Sequence, residues 1–164
     1  MNILKVLVLL IFISFDKSTE ECSNIYLIRH AEKVRSDKSN RDPDLNSKGV
    51  VRAENWKNYF ISKNISRIYS TNYKRTIKTA IPLAENNNLE ILIYSSDDIE
   101  YENFLKLNEG ENTVVIGHSN TIPKFVNNLI NEDYYEQIDD LNNSNLYIVS
   151  LCNSGLTHKL ITVD

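Results

Sequence analysis

Two hydrophobic rhythms alternate along this chain: short unbroken apolar runs, and longer stretches where apolar residues recur every third or fourth position. Ile25-Tyr26-Leu27-Ile28 and Thr113-Val114-Val115-Ile116 are of the first kind, the pattern of strands covered on both faces. Ile65–Ser70 and Leu89–Tyr94 read as two further strands. Gly49, Ala53, Trp56 and Phe60 follow the helical rhythm behind Asn46 and Ser47, either of which can cap the helix. Ile77, Ala80, Ile81 and Ala84 define a second helix, which Pro82 is expected to kink or shorten. A third, weaker helix falls within Asp98–Leu107. Ile122, Phe125, Val126, Leu129 and Ile130 form a clear helical stripe, with Pro123 in the tolerated first turn. Leu146–Leu151 and Leu156–Val163 close the chain as a hairpin through Asn153-Ser154-Gly155. Such alternation predicts an α/β three-layer domain: a mainly parallel central sheet, helices on both faces, and an antiparallel C-terminal edge hairpin. Strand order cannot be read from the pattern.

The first residues break this rhythm. Met1-Asn2-Ile3-Leu4-Lys5 leads into the apolar run Val6–Ile13 and then Ser14-Phe15-Asp16-Lys17-Ser18, the layout of a secretory signal. The run is shorter than the roughly 20 apolar residues of a bilayer-spanning helix. Residues 1–21 are therefore expected to be a signal peptide, or an uncleaved anchor and so the only membrane contact, and the domain to occupy 22–164. The protein is expected to be exported, periplasmic or secreted. In an oxidising compartment Cys22 and Cys152 can pair; Cys152 as buried core is the other reading.

The 164 residues suffice for one core. The net charge of −4 argues against a nucleic-acid partner. Its distribution says more than its sum. Thirteen of the eighteen Lys and Arg lie within residues 29–78, whereas residues 85–140 hold thirteen carboxylates against Lys106 and Lys124. A positive zone inside an acidic protein suits a pocket for a small anion; a solvated helix face is the alternative. No His-x-His or Cys-x-x-Cys spacing occurs, so no metal and no cofactor are expected. Oligomeric state is not legible.

Ligands of such sheets bind beyond the carboxyl ends of the strands. Arg29-His30, Tyr73-Lys74-Arg75-Thr76 and His118-Ser119-Asn120 fall there, which places two of the three histidines at equivalent strand ends. His158, in the terminal hairpin, reads as surface. These blocks carry a resemblance. Ile28-Arg29-His30-Ala31-Glu32-Lys33 resembles the Arg-His-Gly opening motif of the histidine phosphatase superfamily, the phosphoglycerate mutase-like proteins. Asp44-Leu45-Asn46-Ser47-Lys48-Gly49 is similar to its Leu-Thr-x-x-Gly segment, and Thr71 to Ala80 to its Ser-x-x-x-Arg-(Ala/Thr)-x-x-Thr-Ala block. Gly117-His118-Ser119-Asn120 is similar to its late Gly-His motif.

The resemblance implies a phosphoglycerate mutase-like fold and a metal-independent phosphatase acting on a small phosphorylated substrate. His30 would attack phosphorus and carry the phosphoryl group covalently, one ring nitrogen neutral and the other donating to a fixed acceptor. Arg29, Arg75 and a protonated His118 would neutralise the equatorial oxygens, with Asn120 and Lys33 as substrate-binding residues. Two departures stand out: Ala31 replaces the usual Gly, and Ser36 falls where an Asn is usual. Lys33 and Arg35 either contact the anion in compensation or are plain loop charges. Asp97, Asp98, Glu100, Glu102 and Glu32 all compete as leaving-group acid. Alternatives to the phosphomonoesterase are a phosphohistidine protein phosphatase, which export disfavours, a phosphoglycerate mutase, and a non-catalytic binder of phosphorylated ligands.

Overall fold

The computed structural model describes residues 22–163; the signal or anchor expected for 1–21 lies outside them. Ten elements follow in the order β1 (Ser23–Arg29), α1 (Ser47–Phe60), β2 (Ile65–Ser70), α2 (Lys74–Asn87), β3 (Ile91–Ile93), α3 (Tyr101–Leu107), β4 (Asn112–Gly117), α4 (Thr121–Ile130), β5 (Asn145–Cys152) and β6 (Gly155–Thr162). The sheet order is β3-β2-β4-β1-β5-β6. The first four pair in parallel, and β5 and β6 add an antiparallel edge.

Alternation within β1 separates the two cores. Tyr26 and Ile28 face Trp56, Phe60, Leu83 and Ala84 of α1 and α2. Ile25 and Leu27 face Ile122, Phe125 and Leu129 of α4 and Phe104 of α3. Each face of the sheet thus buries one helical layer, as the continuous apolar runs required.

Two local expectations are revised. Pro82 does not shorten α2, which continues past it from Lys74 to Asn87. The flanking Ala80, Leu83 and Ala84 are buried in the core, and that packing outweighs one missing backbone hydrogen bond. β3 is only three residues long, shorter than the expected Leu89–Tyr94, and pairs solely with β2 at the sheet edge. Asn46 is the cap of α1, its side chain accepting from Gly49 N at 2.9 Å. Asn88 and Asn131 end α2 and α4 in the left-handed conformation, which Asn tolerates better than most residues. Cys22 and Cys152 form a disulfide across the open end of the β1–β5 ladder. His158 is half-buried rather than simply exposed, its Nδ1 within hydrogen-bond distance of Tyr135 Oη at 2.8 Å.

α1 is docked unusually close to the loop that follows β1. A Cβ added to Gly49 would lie 2.1 Å from the Glu32 carbonyl oxygen, and Glu32 reaches across to Arg52 of α1 at 2.9 Å. Gly49→Ala should therefore destabilise the protein by about 1–3 kcal/mol through overpacking, although helix propensity alone favours Ala by about 1 kcal/mol. A chemical-denaturation midpoint equal to or above that of the wild type would contradict this packing.

Candidate functional site

The parallel strands β1, β4 and β2 end side by side. Arg29 pairs with Gly117 and Ser70 with Ile116 in the ladder. Beyond the last rungs, His30 N donates to Gly117 O at 2.9 Å and Thr71 N to Ile116 O at 3.3 Å. The register alone brings His30, Thr71 and His118 to one end of the sheet. The two imidazoles meet at 65°, with ring centroids 5.5 Å apart.

His30 is buried and held on every side. Its carbonyl accepts from Asn143 Nδ2 at 2.8 Å, and the next residue, Ala31, donates its N–H to Thr79 Oγ1 at 2.9 Å. Thr79 in turn donates to Arg75 O at 2.7 Å, tying the segment to α2. Nδ1 lies 2.7 Å from Ala31 O. A carbonyl can only accept, so Nδ1 carries the proton and Nε2 keeps a free lone pair. Burial, joined by the charges of Arg29, His118 and Arg75, lowers the pKa of His30 to about 3. Ala31 in place of Gly brings no left-handed strain, since positive φ outside glycine is confined, among the described residues, to Asn64, Asn88 and Asn131.

His118 is also neutral, its pKa lowered to about 4 by burial and then by Arg75, Arg29 and Lys33. Arg75 Nη2 approaches its Nδ1 at 3.3 Å, and its Nε2 faces Thr71 Oγ1 at 3.0 Å. An arginine can only donate, so Nδ1 accepts and Nε2–H points to Thr71. Thr71 passes the chain to Thr76, whose hydroxyl ends on the carbonyls of Thr71 and Tyr73.

The two buried guanidiniums differ in what they have left to give. Arg29 spends Nη1 on the carbonyls of Asp139 and Asn142 at 2.9 and 3.0 Å, and Nη2 on Asp140 at 2.7 Å. Its expected donor fork is thus occupied by the 139–142 loop. Arg75 makes only long contacts, to Arg41 O at 3.4 Å and Asp42 Oδ1 at 3.6 Å besides His118. Its plane rests on the Tyr73 ring, 4.5 Å from the centroid. The Nε groups of both Arg29 and Arg75 are buried without an acceptor, a costly state that an incoming oxyanion would relieve.

Lys33 lies in the same field, its pKa lowered by burial and by Arg75 and Arg35. Arg35 instead pairs with Asp140, and with Arg29 it holds that carboxyl down at about 2. Asn120 stands at the start of α4, exposed and without a capping bond, and is not drawn into the histidine cluster. Glu32 is committed to Arg52 and Lys48. Asp97, Asp98, Glu100 and Glu102 are exposed. Among the described residues no carboxyl group is hydrogen-bonded to either pocket histidine. Asp140 and Asn143 reach the site from over a hundred residues away in sequence, and no local motif marked them. Tyr73 lay inside a recognised block, but nothing in its spacing singled it out.

Fold and site together define an α/β domain with a cation-ringed histidine pair at the carboxyl ends of its parallel strands. Residues 25–96 match the family model of the histidine phosphatase superfamily (branch 1). No curated protein matches the sequence significantly. The protein histidine phosphatase SixA, solved with tungstate, superposes with a TM-score of 0.66 at 17% identity, covering 85% of this chain and 96% of its own. A mutant phosphoserine phosphatase from Entamoeba histolytica in complex with phosphoserine gives 0.62 at 15%, covering 84% and 95%. A mycobacterial glucosyl-3-phosphoglycerate phosphatase gives 0.65 at 12%, covering 87% and 98%. These likenesses establish the shared fold.

The depressed histidines predict acid sensitivity. Both have folded pKa values, about 3 and about 4, below the ordinary 6.5. Their contribution to stability is complete above pH 6.5 and is lost as pH falls, because the unfolded chain then binds protons the folded one refuses. Asp140 acts only lower down, between its ordinary 3.8 and about 2. The denaturation midpoint should be flat above pH 7 and fall between pH 6.5 and 4. His30→Gln should shrink that fall, and an unchanged slope in the variant would refute the assignment.

Proposed function

We propose that this domain is a phosphomonoesterase working through a covalent phosphohistidine on His30. The observation that carries the reading is the fixed tautomer: Nδ1–H is bound to Ala31 O at 2.7 Å and Nε2 is left free, on a ring whose centroid is 5.5 Å from that of His118 and which lies in the field of Arg29 and Arg75. The Nε2 lone pair forms the N–P bond as the P–O bond to the leaving group breaks. The leaving oxygen takes a proton from solvent; water then attacks phosphorus as the N–P bond breaks, returning the electron pair to His30 Nε2 and releasing its surplus proton to solvent. Arg75, through Nε and its loosely held Nη groups, and Arg29, through Nε alone, stabilise the equatorial oxygens, with Lys33 adding charge at the rim. His118 shares the anion once the phosphate draws it away from Thr71 or raises its proton affinity. Such residues need no metal for this chemistry.

The chain's place of action is proposed to be outside the cytosol. The apolar run Val6–Ile13 and the Cys22–Cys152 bridge support this, because disulfides persist in oxidising compartments. Cell fractionation with a non-reducing gel tests it.

A second reading is favoured by one feature, the lack of a carboxylic acid at either histidine among the described residues. An alkoxide leaving group needs a proton, whereas the nitrogen of a phosphoramidate can already carry one. A protein phosphohistidine substrate therefore suits the pocket chemically, as in the SixA fold relative. The ratio of kcat/KM for phosphohistidine to that for p-nitrophenyl phosphate separates the two.

His30→Ala should reduce p-nitrophenyl phosphate hydrolysis to background. Quenched wild-type protein should carry an alkali-stable, acid-labile phosphoryl group that the variant lacks. Because His30 is neutral above about 3, kcat/KM corrected for folded fraction should hold below pH 6.5 and fall only near pH 3–4. Full activity in His30→Ala would eliminate the mechanism.

A further inference from the structure

The phosphatase reading gives Arg75 and His118 their tasks but does not say what holds them before substrate arrives. Arg75 sits among like charges, with Arg29 and Lys33 sharing its field. Its polar contacts are all 3.3 Å or longer, too weak to orient a long side chain. The Tyr73 ring is what packs on it. The guanidinium carbon lies 4.5 Å from the ring centroid, and the same ring meets His118 at 88° with centroids 5.0 Å apart.

Tyr73 has no evident task in the fold. It occupies the N-cap position of α2, where its side chain makes no capping bond, and it is 41% exposed. A Ser, Thr, Asp or Asn there would stabilise the helix better. Its value lies in how it binds a cation. A carboxylate would fix Arg75 equally well but would consume N–H donors and cancel the charge that a phosphate needs, as Asp140 does to Arg29. An aromatic face holds the plane of the guanidinium through its quadrupole and leaves every edge N–H available.

We propose that Tyr73 is the positioning residue of the phosphoryl site, carrying the Arg75 guanidinium on its face and bracing the His118 imidazole at right angles. Both donors are thereby set in place before an anion arrives. The inference rests on the phosphatase reading for its functional meaning, but its geometry can be tested without turnover.

Two variants test it. Tyr73→Phe keeps the ring, and Tyr73→Leu keeps apolar bulk without a π face. The first readout is the dissociation constant for orthovanadate. The second is the NMR titration of His118 in the ligand-free protein, one of only three histidines to assign. The groups facing His118 are Arg75 and Tyr73 at α2, Arg29 and His30 at the end of β1, and Lys33 in the loop beyond. Tyr73→Phe should match the wild type in both. Tyr73→Leu should weaken vanadate binding roughly tenfold, the scale of a partly desolvated cation–π contact. Its His118 midpoint should rise from about 4 toward 6.5, as Arg75 drifts away. A Leu variant that matches the wild type in both readouts overturns the proposal, and so does a Phe variant as impaired as Leu. A lower Tm with an unmoved His118 titration also counts against it. If the wild type itself binds no vanadate, the phosphatase reading fails, and the His118 titration still decides whether Tyr73 positions Arg75.

Discussion

The hydrogen bond from His30 Nδ1 to the Ala31 carbonyl, 2.7 Å long, fixes the chemistry open to this site. An imidazole free to choose its tautomer would present a lone pair at Nε2 only part of the time, and a protonated one would present none. Here the acceptor is a backbone carbonyl of the adjoining residue, and that carbonyl is itself immobilised. Ala31 N is bound to Thr79, Thr79 to Arg75 O, and His30 N to Gly117. The orientation of the His30 ring is therefore a property of the sheet ends and of α2.

Burial completes what the hydrogen bond begins. Desolvation is the largest cause of the low pKa of His30 and also of His118, and neighbouring cations reinforce it. The ligand-free site therefore holds its positive charge on guanidinium and ammonium groups while both imidazoles stay neutral. This division suits an anion. The permanent charges attract it, and the neutral rings can accept or share protons once its field arrives. The same arrangement costs stability in acid. The cations are not balanced symmetrically. Asp140 neutralises Arg29 and Arg35 together, whereas Arg75 keeps only a distant Asp42, so the unspent attraction is concentrated on the Arg75 side of the pocket.

The fold was largely legible because its signals are local. Unbroken apolar runs marked β1 and β4, and the Gly49–Ala53–Trp56–Phe60 stripe marked α1; all four of those residues are buried. Errors arose where tertiary packing outvotes local preference. Pro82 sits inside α2 because the surrounding core holds that helix, and β3 keeps only Ile91–Ile93 of the apolar run. The site was legible only in part. His30, Arg29, Arg75 and His118 follow strand or helix boundaries that the pattern located. Asp140 and Asn143 arrive across long sequence separations through a segment without helix or strand. Their contribution depends on the return of β5 beside β1, which only strand order reveals.

That long-range supply explains why Arg29 and Arg75 should not be read as equivalent, although both are arginines of one pocket, one at the end of β1 and the other in the first turn of α2. Arg29 is the fixed peg on which the 139–142 segment hangs, with both terminal nitrogens bound to it. Removing it would loosen that segment and strand Asp140 beside Arg35. Arg75 rests on a ring and keeps its donors. One guanidinium is therefore committed to the wall of the pocket, and the other keeps donors unspent. The difference comes from what each guanidinium is packed against: carbonyls and a carboxylate for Arg29, an aromatic face for Arg75.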